Sequence, residues 1–235
     1  MRVLICCSLL LSGQLGGAIA LAGGADNPLL FMLNAEEFEW RDTSDGDAFV
    51  WRGEAWLGKD RDKALLKTRG EATEDATEEF ELQLLYSRAI DRYWNLELGW
   101  RGDFQPAEQR DWLTVGVQGL APLFIETEAA FFVGKSGRTA ARVRGAYEML
   151  LTNRWELEPE LELNWYGEDD EANGIGSGLA TFEAGLRLRY IVRRELIPYV
   201  GVSWEKAFGD TRDLIEAQGG DGSDLQLLAG LRFWF

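Results

Sequence analysis

The chain of 235 residues contains no histidine, and its two cysteines, Cys6 and Cys7, both lie close to the N terminus. A Ser-His-Asp triad or a Cys-His pair needs an imidazole as its base, so these nucleophilic mechanisms are excluded. Zinc sites of the usual nitrogen and sulfur type need His or Cys ligands, which the rest of the chain does not supply. A disulfide framework is excluded for the same reason. These absences argue against an enzyme.

Long apolar runs are also scarce. Met1 and Arg2 precede the apolar stretch VLICCSLLL, and a small-x-small pattern follows at Ala20-Leu21-Ala22. A charged start, an apolar segment and small residues at a cleavage site predict a secretory signal peptide over residues 1–22. We interpret residues 23–235 as a single domain. No later apolar run approaches the roughly 20 residues of a transmembrane helix, so a mature chain that crosses a membrane does so with strands.

Positive charge is in deficit. The chain has 24 Lys and Arg against 40 Asp and Glu, a formal net charge of −16. Removal of residues 1–22 takes away Arg2 and no acidic residue, which leaves 23 basic and 40 acidic residues and a charge of −17. A strongly acidic chain repels the phosphate backbone, so nucleic acid is excluded as a partner.

Alternation of polar and apolar residues is abundant instead. In WELEPELELNW, residues 155–165, Glu156, Glu158, Glu160 and Glu162 alternate with tryptophan and leucine. Because successive side chains of a strand point to opposite faces, this pattern predicts strands with one apolar and one polar face. The same alternation occurs over 79–86, 94–101, 124–133, 141–149, 182–190, 196–205 and 225–235. Less regular strands are predicted near 31–41, 48–57, 63–71 and 111–120, and the facing of the first is ambiguous. Pro159 removes a ladder donor and predicts a bulge in its strand.

The predicted fold is all-β: one transmembrane up-and-down antiparallel β-barrel of about 12 strands, following a cleaved signal peptide. Most of the strands have roughly the 9–11 residues that a tilted transmembrane strand needs. Aromatic residues at strand ends are typical of interfacial girdles. Long polar connections are expected at 70–78, 102–110, 166–178 and 208–224, alternating with short turns that we place at the periplasmic rim. The competing interpretation is a soluble β-sandwich, whose apolar face would cover a core.

Carboxylates on the predicted lumen face are the candidate metal ligands of this sequence. Residues i and i+2 of a strand share a face, which groups neighbouring acids. The low-specificity candidates are Glu126, Glu128, Glu158, Glu160 and Glu162. Arginines on the same faces predict ion pairs that hold the barrel cross-section; these are Arg142, Arg144, Arg187, Arg189 and Arg232.

From about residue 30 to its end, the sequence resembles the copper resistance protein B family of outer-membrane barrels. Four segments carry the resemblance, together with GIGSGL at 174–179: LQLLYSRAI (82–90), LTVGVQGLAP (113–122), LRLRYIVRRELIPYVGVSWEKAFGDT (186–211) and AGLRFWF (229–235). The resemblance implies a cell outer membrane location in contact with lipid, a bound copper ion, and a role in copper resistance and copper ion homeostasis. It also implies a periplasmic multicopper oxidase as a partner.

The sequence departs from the family in its supply of ligands. Family members commonly carry a Met- and His-rich segment before the barrel, whereas only GGADNPLL separates the predicted cleavage site from the first strand. Met32 and Met149 are the methionines of the mature chain. Cu(I) prefers sulfur ligands, and Cu(II) prefers imidazole with oxygen. The family's ligands therefore have no counterpart here, and the carboxylates are the remaining candidates.

We retain three hypotheses at this point. The first is an outer-membrane barrel that binds or conducts copper ions. The second is a narrow general pore or structural barrel with no intrinsic copper selectivity. The third is an outer-membrane enzyme, which the missing histidine opposes.

Overall fold

The computed structural model describes residues 28–44, 46–74, 76–105, 109–217 and 219–235. The predicted signal peptide lies outside the described residues. Within the described ranges, no helix is both long and apolar enough to cross a bilayer.

The described chain is built almost entirely of strands. They are β1 Leu30–Thr43, β2 Gly46–Gly58, β3 Asp62–Thr73, β4 Thr77–Ala89, β5 Trp94–Gln105, β6 Arg110–Ala121, β7 Ile125–Gly134, β8 Thr139–Ala146, β9 Met149–Leu150, β10 Trp155–Tyr166, β11 Gly178–Tyr190, β12 Leu196–Ala207 and β13 Ser223–Trp234. One α-helix, α1, spans Gly209–Ala217. Short 3-10 turns occupy Pro122–Phe124, Lys135–Gly137 and Glu171–Asn173.

The sheet closes on itself. Consecutive strands pair antiparallel, and β1 pairs with β13 through contacts such as Asn34 opposite Trp234. The segments β8 and β9 both pair with β10 and occupy one position, so the 13 segments make a barrel of twelve strands. The predicted up-and-down barrel is confirmed. Closure removes the unpaired edge that a sheet in lipid could not tolerate.

The faces of the barrel divide as predicted. On β10, Glu158 is 2% exposed and Leu161 is 52% exposed. The large exposed side chains of the other strands are likewise mostly apolar, whereas the most deeply buried ones include Arg187, Glu37, Glu39 and Glu81. An apolar outside around a charged inside is the arrangement of a barrel in a bilayer, and the soluble sandwich is ruled out.

A β-bulge explains why the facing of β1 was ambiguous. Ala35 lies opposite Gly53 of β2, but Glu37, two residues later, lies opposite Arg52, so Glu36 is an extra residue. The alternation therefore changes parity within β1. Bulges commonly re-aim side chains in this way. Here the bulge directs both Glu36 and Glu37 to the lumen, where each pairs with an arginine.

The prediction of a bulge at Pro159 is wrong. The neighbouring strand is interrupted instead, between β8 and β9. Leu157 faces Met149 and Glu160 faces Ala146, so the register is the same on either side of Pro159. The backbone N–H of Tyr147 donates to the Pro159 carbonyl at 3.1 Å. The return bond cannot form because proline has no N–H. The ladder therefore stops between β8 and β9 without adding a residue.

Two of the four predicted long loops were wrong. The strands β3 and β4 are separated by residues 74–76 alone, and β5 and β6 by residues 106–109. Polar residues can continue a hairpin above the bilayer because both of its faces then meet water. The connections 167–177 and 208–222 are long as expected, and the second contains α1. Gly176 donates its backbone N–H to the buried Thr211 hydroxyl at 2.9 Å, which joins these two loops.

Candidate functional site: a charged lumen with two vestibules

A belt of ion pairs crosses the middle of the lumen. Arg52 on β2 donates to Glu160 at 2.8 Å and to Glu162 at 3.1 Å, both on β10. Arg69 on β3 reaches the same Glu162 at 2.7 Å. These strands are not neighbours in the sheet, so the bonds span the interior rather than running along the wall.

Further bonds cross the lumen in other directions. Arg142 on β8 makes two hydrogen bonds to Glu81 on β4, at 3.1 and 2.9 Å. Lys67 on β3 donates to Glu97 on β5 and to Glu128 on β7, each at 2.9 Å. The cavity among these side chains measures about 40 Å³. This cavity holds only a few waters, because one water needs at least roughly 10–15 Å³. A second cavity of about 220 Å³ borders Arg69, Glu81, Arg142 and Glu162.

Above the belt lies an acidic vestibule. Its volume is about 920 Å³, and it opens where β1, β3 and β12 end and β2, β4 and β13 begin. Seven carboxylates line it: Asp47, Glu71, Glu74, Glu78, Glu205, Asp221 and Asp224. No lysine or arginine is among the described residues that line it. Carboxylates of one sign around a concave space attract cations and raise their local concentration.

Below the belt lies a second vestibule of about 600 Å³ with a different lining. Its wall includes Trp56, Tyr93 and Trp94 together with Glu54 and Glu126. Met32 also lines it, so one thioether faces the interior. The ambiguous facing of β1 had hidden this position. Met149, in contrast, is 41% exposed on the apolar outer face.

The predicted metal candidates are all on the lumen side, but they do not form a single group. Glu126 lines the lower vestibule, and Glu128 bonds to Lys67. Glu160 and Glu162 share Arg52, while Glu158 pairs with Arg189. Each of the four paired acids thus has a protein cation beside it. Their role as metal ligands stays a prediction. The predicted ion pairs of the lumen arginines are confirmed.

The residues that the structure describes contain one group of three acids with metal-ligand spacing. One carboxylate oxygen each of Glu148, Glu156 and Glu158 lies within 4.8 Å of the others. Alternation placed Glu156 and Glu158 on one face of β10. It could not bring in Glu148, because the pairing of two strands depends on their register.

Asp170, in the long loop 167–177, ties the upper rim together. It accepts hydrogen bonds from Asn173 at 2.9 Å, Arg138 at 3.0 Å and Arg110 at 3.2 Å. Burial acts to raise the pKa of Asp170, but the hydrogen bonds from Asn173 and Arg110 and the charge of Arg138 outweigh it. The pKa therefore lies below its ordinary value. The carboxylate is held ionised, and the loop is fixed to the barrel rim.

A closed barrel of twelve antiparallel strands, apolar outside and charged inside, defines an outer-membrane β-barrel protein. A solved NanC porin structure has the same fold, with a TM-score of 0.57 and 15% sequence identity. The match covers 86% of this chain and 98% of that one. The protein is located in the outer membrane.

The chain belongs to the family described as copper resistance protein B precursor (CopB), whose model matches residues 29–235. The copper resistance protein B of Escherichia coli is 42% identical over 89% of this chain and 71% of that protein. A copper resistance protein B homolog of Pseudomonas syringae pv. tomato is 43% identical over 86% of this chain and 68% of that protein. The family resemblance seen in the sequence is therefore confirmed.

Proposed function

We propose that this barrel binds copper ions in its lumen and conducts them across the outer membrane, as part of copper resistance and copper ion homeostasis. The observation that carries the proposal is the upper vestibule, where seven carboxylates collect without a basic side chain among the described lining residues. The negative charge of the upper vestibule favours cations over anions. The membership of a copper resistance family supplies the identity of the cation.

The two vestibules suit different states of copper. Carboxylate oxygens accept Cu(II), and a thioether favours Cu(I). The upper vestibule offers oxygen ligands, and the lower one adds the Met32 sulfur to Glu36, Glu54 and Glu126. The residues fit copper as a transiently held cargo. They do not fit a tight resident site, because they provide neither imidazole nor thiolate.

A narrow general pore without copper selectivity is the second candidate. The side-chain belt opposes it, since its ion pairs join strands on opposite sides of the lumen and obstruct a free flow of solutes. In our proposal, passage instead requires exchange of ion pairs within the belt. We propose no catalytic activity, because the chain has no histidine and cannot form a Ser-His-Asp triad.

A periplasmic multicopper oxidase is the proposed partner at the lower rim. Copper that reaches the lower vestibule would be handed to that enzyme or received from it. Lipid of the outer membrane surrounds the remaining surface. The direction of transfer follows from the copper gradient and the partner.

The test is binding of Cu(II) and Cu(I) to the refolded mature barrel in detergent, with Zn(II) as the competitor. We expect selective Cu(I) binding that falls at least tenfold in Met32→Leu. Met149→Leu is the matched control, since its thioether faces lipid. Copper binding no stronger than zinc binding, and insensitive to Met32→Leu, would overturn intrinsic copper recognition and leave the general barrel.

A further inference from the structure

The interruption beside Pro159 places a third carboxylate at the lower end of the lumen. Glu148 lies in the gap between β8 and β9, and Glu156 and Glu158 lie at the start of β10. One oxygen from each lies within 4.8 Å of the others. Glu156 and Glu158 are buried, whereas the Glu148 side chain is 38% exposed. The group thus extends from the interior towards solvent.

A guanidinium stands among these three acids. Arg189 Nη1 lies 3.3 Å from Glu156 and 3.6 Å from Glu148, and it also contacts Glu158 Oε2. Arg232 adds a bond of 2.6 Å to Glu148. Three carboxylates with two guanidiniums leave one negative charge uncompensated. In this cage, Arg189 occupies the position that a cation would take.

The carboxylate group is incompletely satisfied. Glu158 is 2% exposed, and its Oε1 is buried without a hydrogen-bond partner in the described part of the chain. A buried acceptor left without a partner is destabilising, because it has lost its bonds to water and gained none in the protein. An oxygen of this kind, within a group that has metal-ligand spacing, points to a missing ligand.

Arg189 is also held less firmly than the arginines of the belt. Arg142 and Arg144 each bond a carboxylate through two nitrogens. Arg189 uses Nη1 alone for all three acids, and its Nε has no partner among the described residues. Bidentate pairs are the stronger and more specific ones. A guanidinium held by one nitrogen is the easier one to displace.

We propose that Glu148, Glu156 and Glu158 form a divalent-cation site, with Arg189 as a tethered counter-ion that the entering cation displaces. Three carboxylates select a cation that accepts oxygen ligands, such as Cu(II) or Mn(II). Access comes from the lower vestibule, which Arg232 lines. The assignment of Cu(II) as the natural occupant rests on the proposed function, and the site itself does not.

The experiment is titration of the folded full barrel in detergent with Cu(II) and, separately, Mn(II), followed by electron paramagnetic resonance. We expect Glu158→Gln and Glu148→Gln to weaken binding of both ions at least tenfold. Glu97→Gln is the matched control, because Glu97 is also buried with one oxygen lacking a partner. It is expected to leave this site's affinity unchanged.

Arg189→Met is expected to change the cation affinity in the opposite direction. Removal of the counter-ion should tighten Mn(II) binding at least tenfold and make the thermal stability of the barrel depend on Mn(II). The double variant Arg189→Met/Glu158→Gln should lose both gains. Should Arg189→Met not fold, Arg189→Gln tests the same loss of charge with a polar side chain.

The outcomes separate the site from the proposed function. Unchanged affinity in Glu158→Gln, with no gain on loss of Arg189, would overturn the site even if the barrel binds copper tightly elsewhere. Equal loss of Cu(II) and Mn(II) binding in Glu158→Gln would support the site. If the barrel then showed no selectivity for Cu(I), the proposed copper-specific function would be contradicted, but the carboxylate site would still be supported.

Discussion

Arg187 shows what a single residue contributes to the lumen belt. It is 1% exposed and bonds Glu39 at 2.5 Å, Glu37 at 3.1 Å and Glu160 at 3.2 Å. Removing one partner of a buried pair costs about 3–5 kcal/mol, because the remaining charge is left uncompensated. We therefore expect Arg187→Met to lower the free energy of unfolding by about that amount, measured by urea titration in detergent.

The control for Arg187 is a pair at the surface. Lys135 bonds Asp111 at 2.9 Å, but its side chain is 83% exposed. Exposed ion pairs contribute about 0–1 kcal/mol. Lys135→Met should accordingly leave the urea midpoint nearly unchanged. Equal effects of the two substitutions would mean that water reaches the belt and screens it.

Leu161 tests the facing of β10. Its side chain is 52% exposed near the middle of the strand. An arginine that faces lipid at the bilayer midplane lowers the folding stability of a barrel by about 2–4 kcal/mol. We expect Leu161→Arg to reduce the folded fraction, read from the heat-modifiable band on denaturing gels. Leu151→Arg is the control, since Leu151 is 51% exposed but lies in the turn before β10. Loss of folding with both would contradict a specific effect of lipid.

At the scale of elements, alternation predicted the strands because each has one face in lipid and one in the charged lumen. It failed where a local event changes the pattern. The extra residue Glu36 shifted the parity of β1 and concealed Met32. Polar hairpins such as β3–β4 looked like loops, since alternation does not report where the bilayer ends. The α1 helix was missed because its nine residues lie within a polar connection.

The candidate site was predictable to a smaller extent. The sequence placed the carboxylates and arginines on one face of each strand. It did not show which strands oppose one another across the lumen, so the pairing of Arg52 with Glu160 and Glu162 could not be predicted. The grouping of Glu148 with β10 also depends on register. Contacts of this kind are set by barrel closure.

The loop 167–177 gives a prediction of pH dependence. The pKa of Asp170 is lower in the folded protein than in the unfolded chain, where it is about 3.9. The bonds of Asp170 therefore stabilise the loop fully at a pH above the unfolded pKa. This stabilisation is lost as the pH falls through the lower pKa of the folded protein. A spin label at Glu168→Cys, in a mature chain without other cysteines, should stay immobile from pH 7 to pH 5. It should become mobile well below pH 4.

Asp170→Asn is the control for this prediction. The amide keeps the size of the side chain but removes the charge that holds Arg110 and Arg138. The label should then be mobile already at pH 7 and respond little to acid. A label that is immobile at every pH in both proteins would show that Thr211 and α1 hold the loop without Asp170.

At the scale of the whole molecule, charge is divided between the two rims. The connections on the side of the upper vestibule, residues 44–45, 74–76, 106–109, 135–138, 167–177 and 208–222, contain twelve acidic and three basic residues. Those on the opposite side, residues 59–61, 90–93, 122–124, 151–154 and 191–195, contain six basic and three acidic residues. The barrel is therefore polarised along its axis, with the acidic rim on the side that carries the two long connections.

This division of charge predicts electrostatic steering of cations to the upper vestibule. We expect the triple variant Glu74→Gln/Glu78→Gln/Asp221→Asn to slow Cu(II) association about tenfold at low ionic strength. The rate can be followed by quenching of the ten tryptophans in stopped flow. The difference should shrink near 0.1 M salt and above, where the screening length falls to about 10 Å or less.

The control variant Glu168→Gln/Glu171→Gln/Asp213→Asn removes the same charge from residues outside the vestibule lining and should slow association less. Equal slowing by both triples would mean that net charge, rather than the vestibule, attracts the ion.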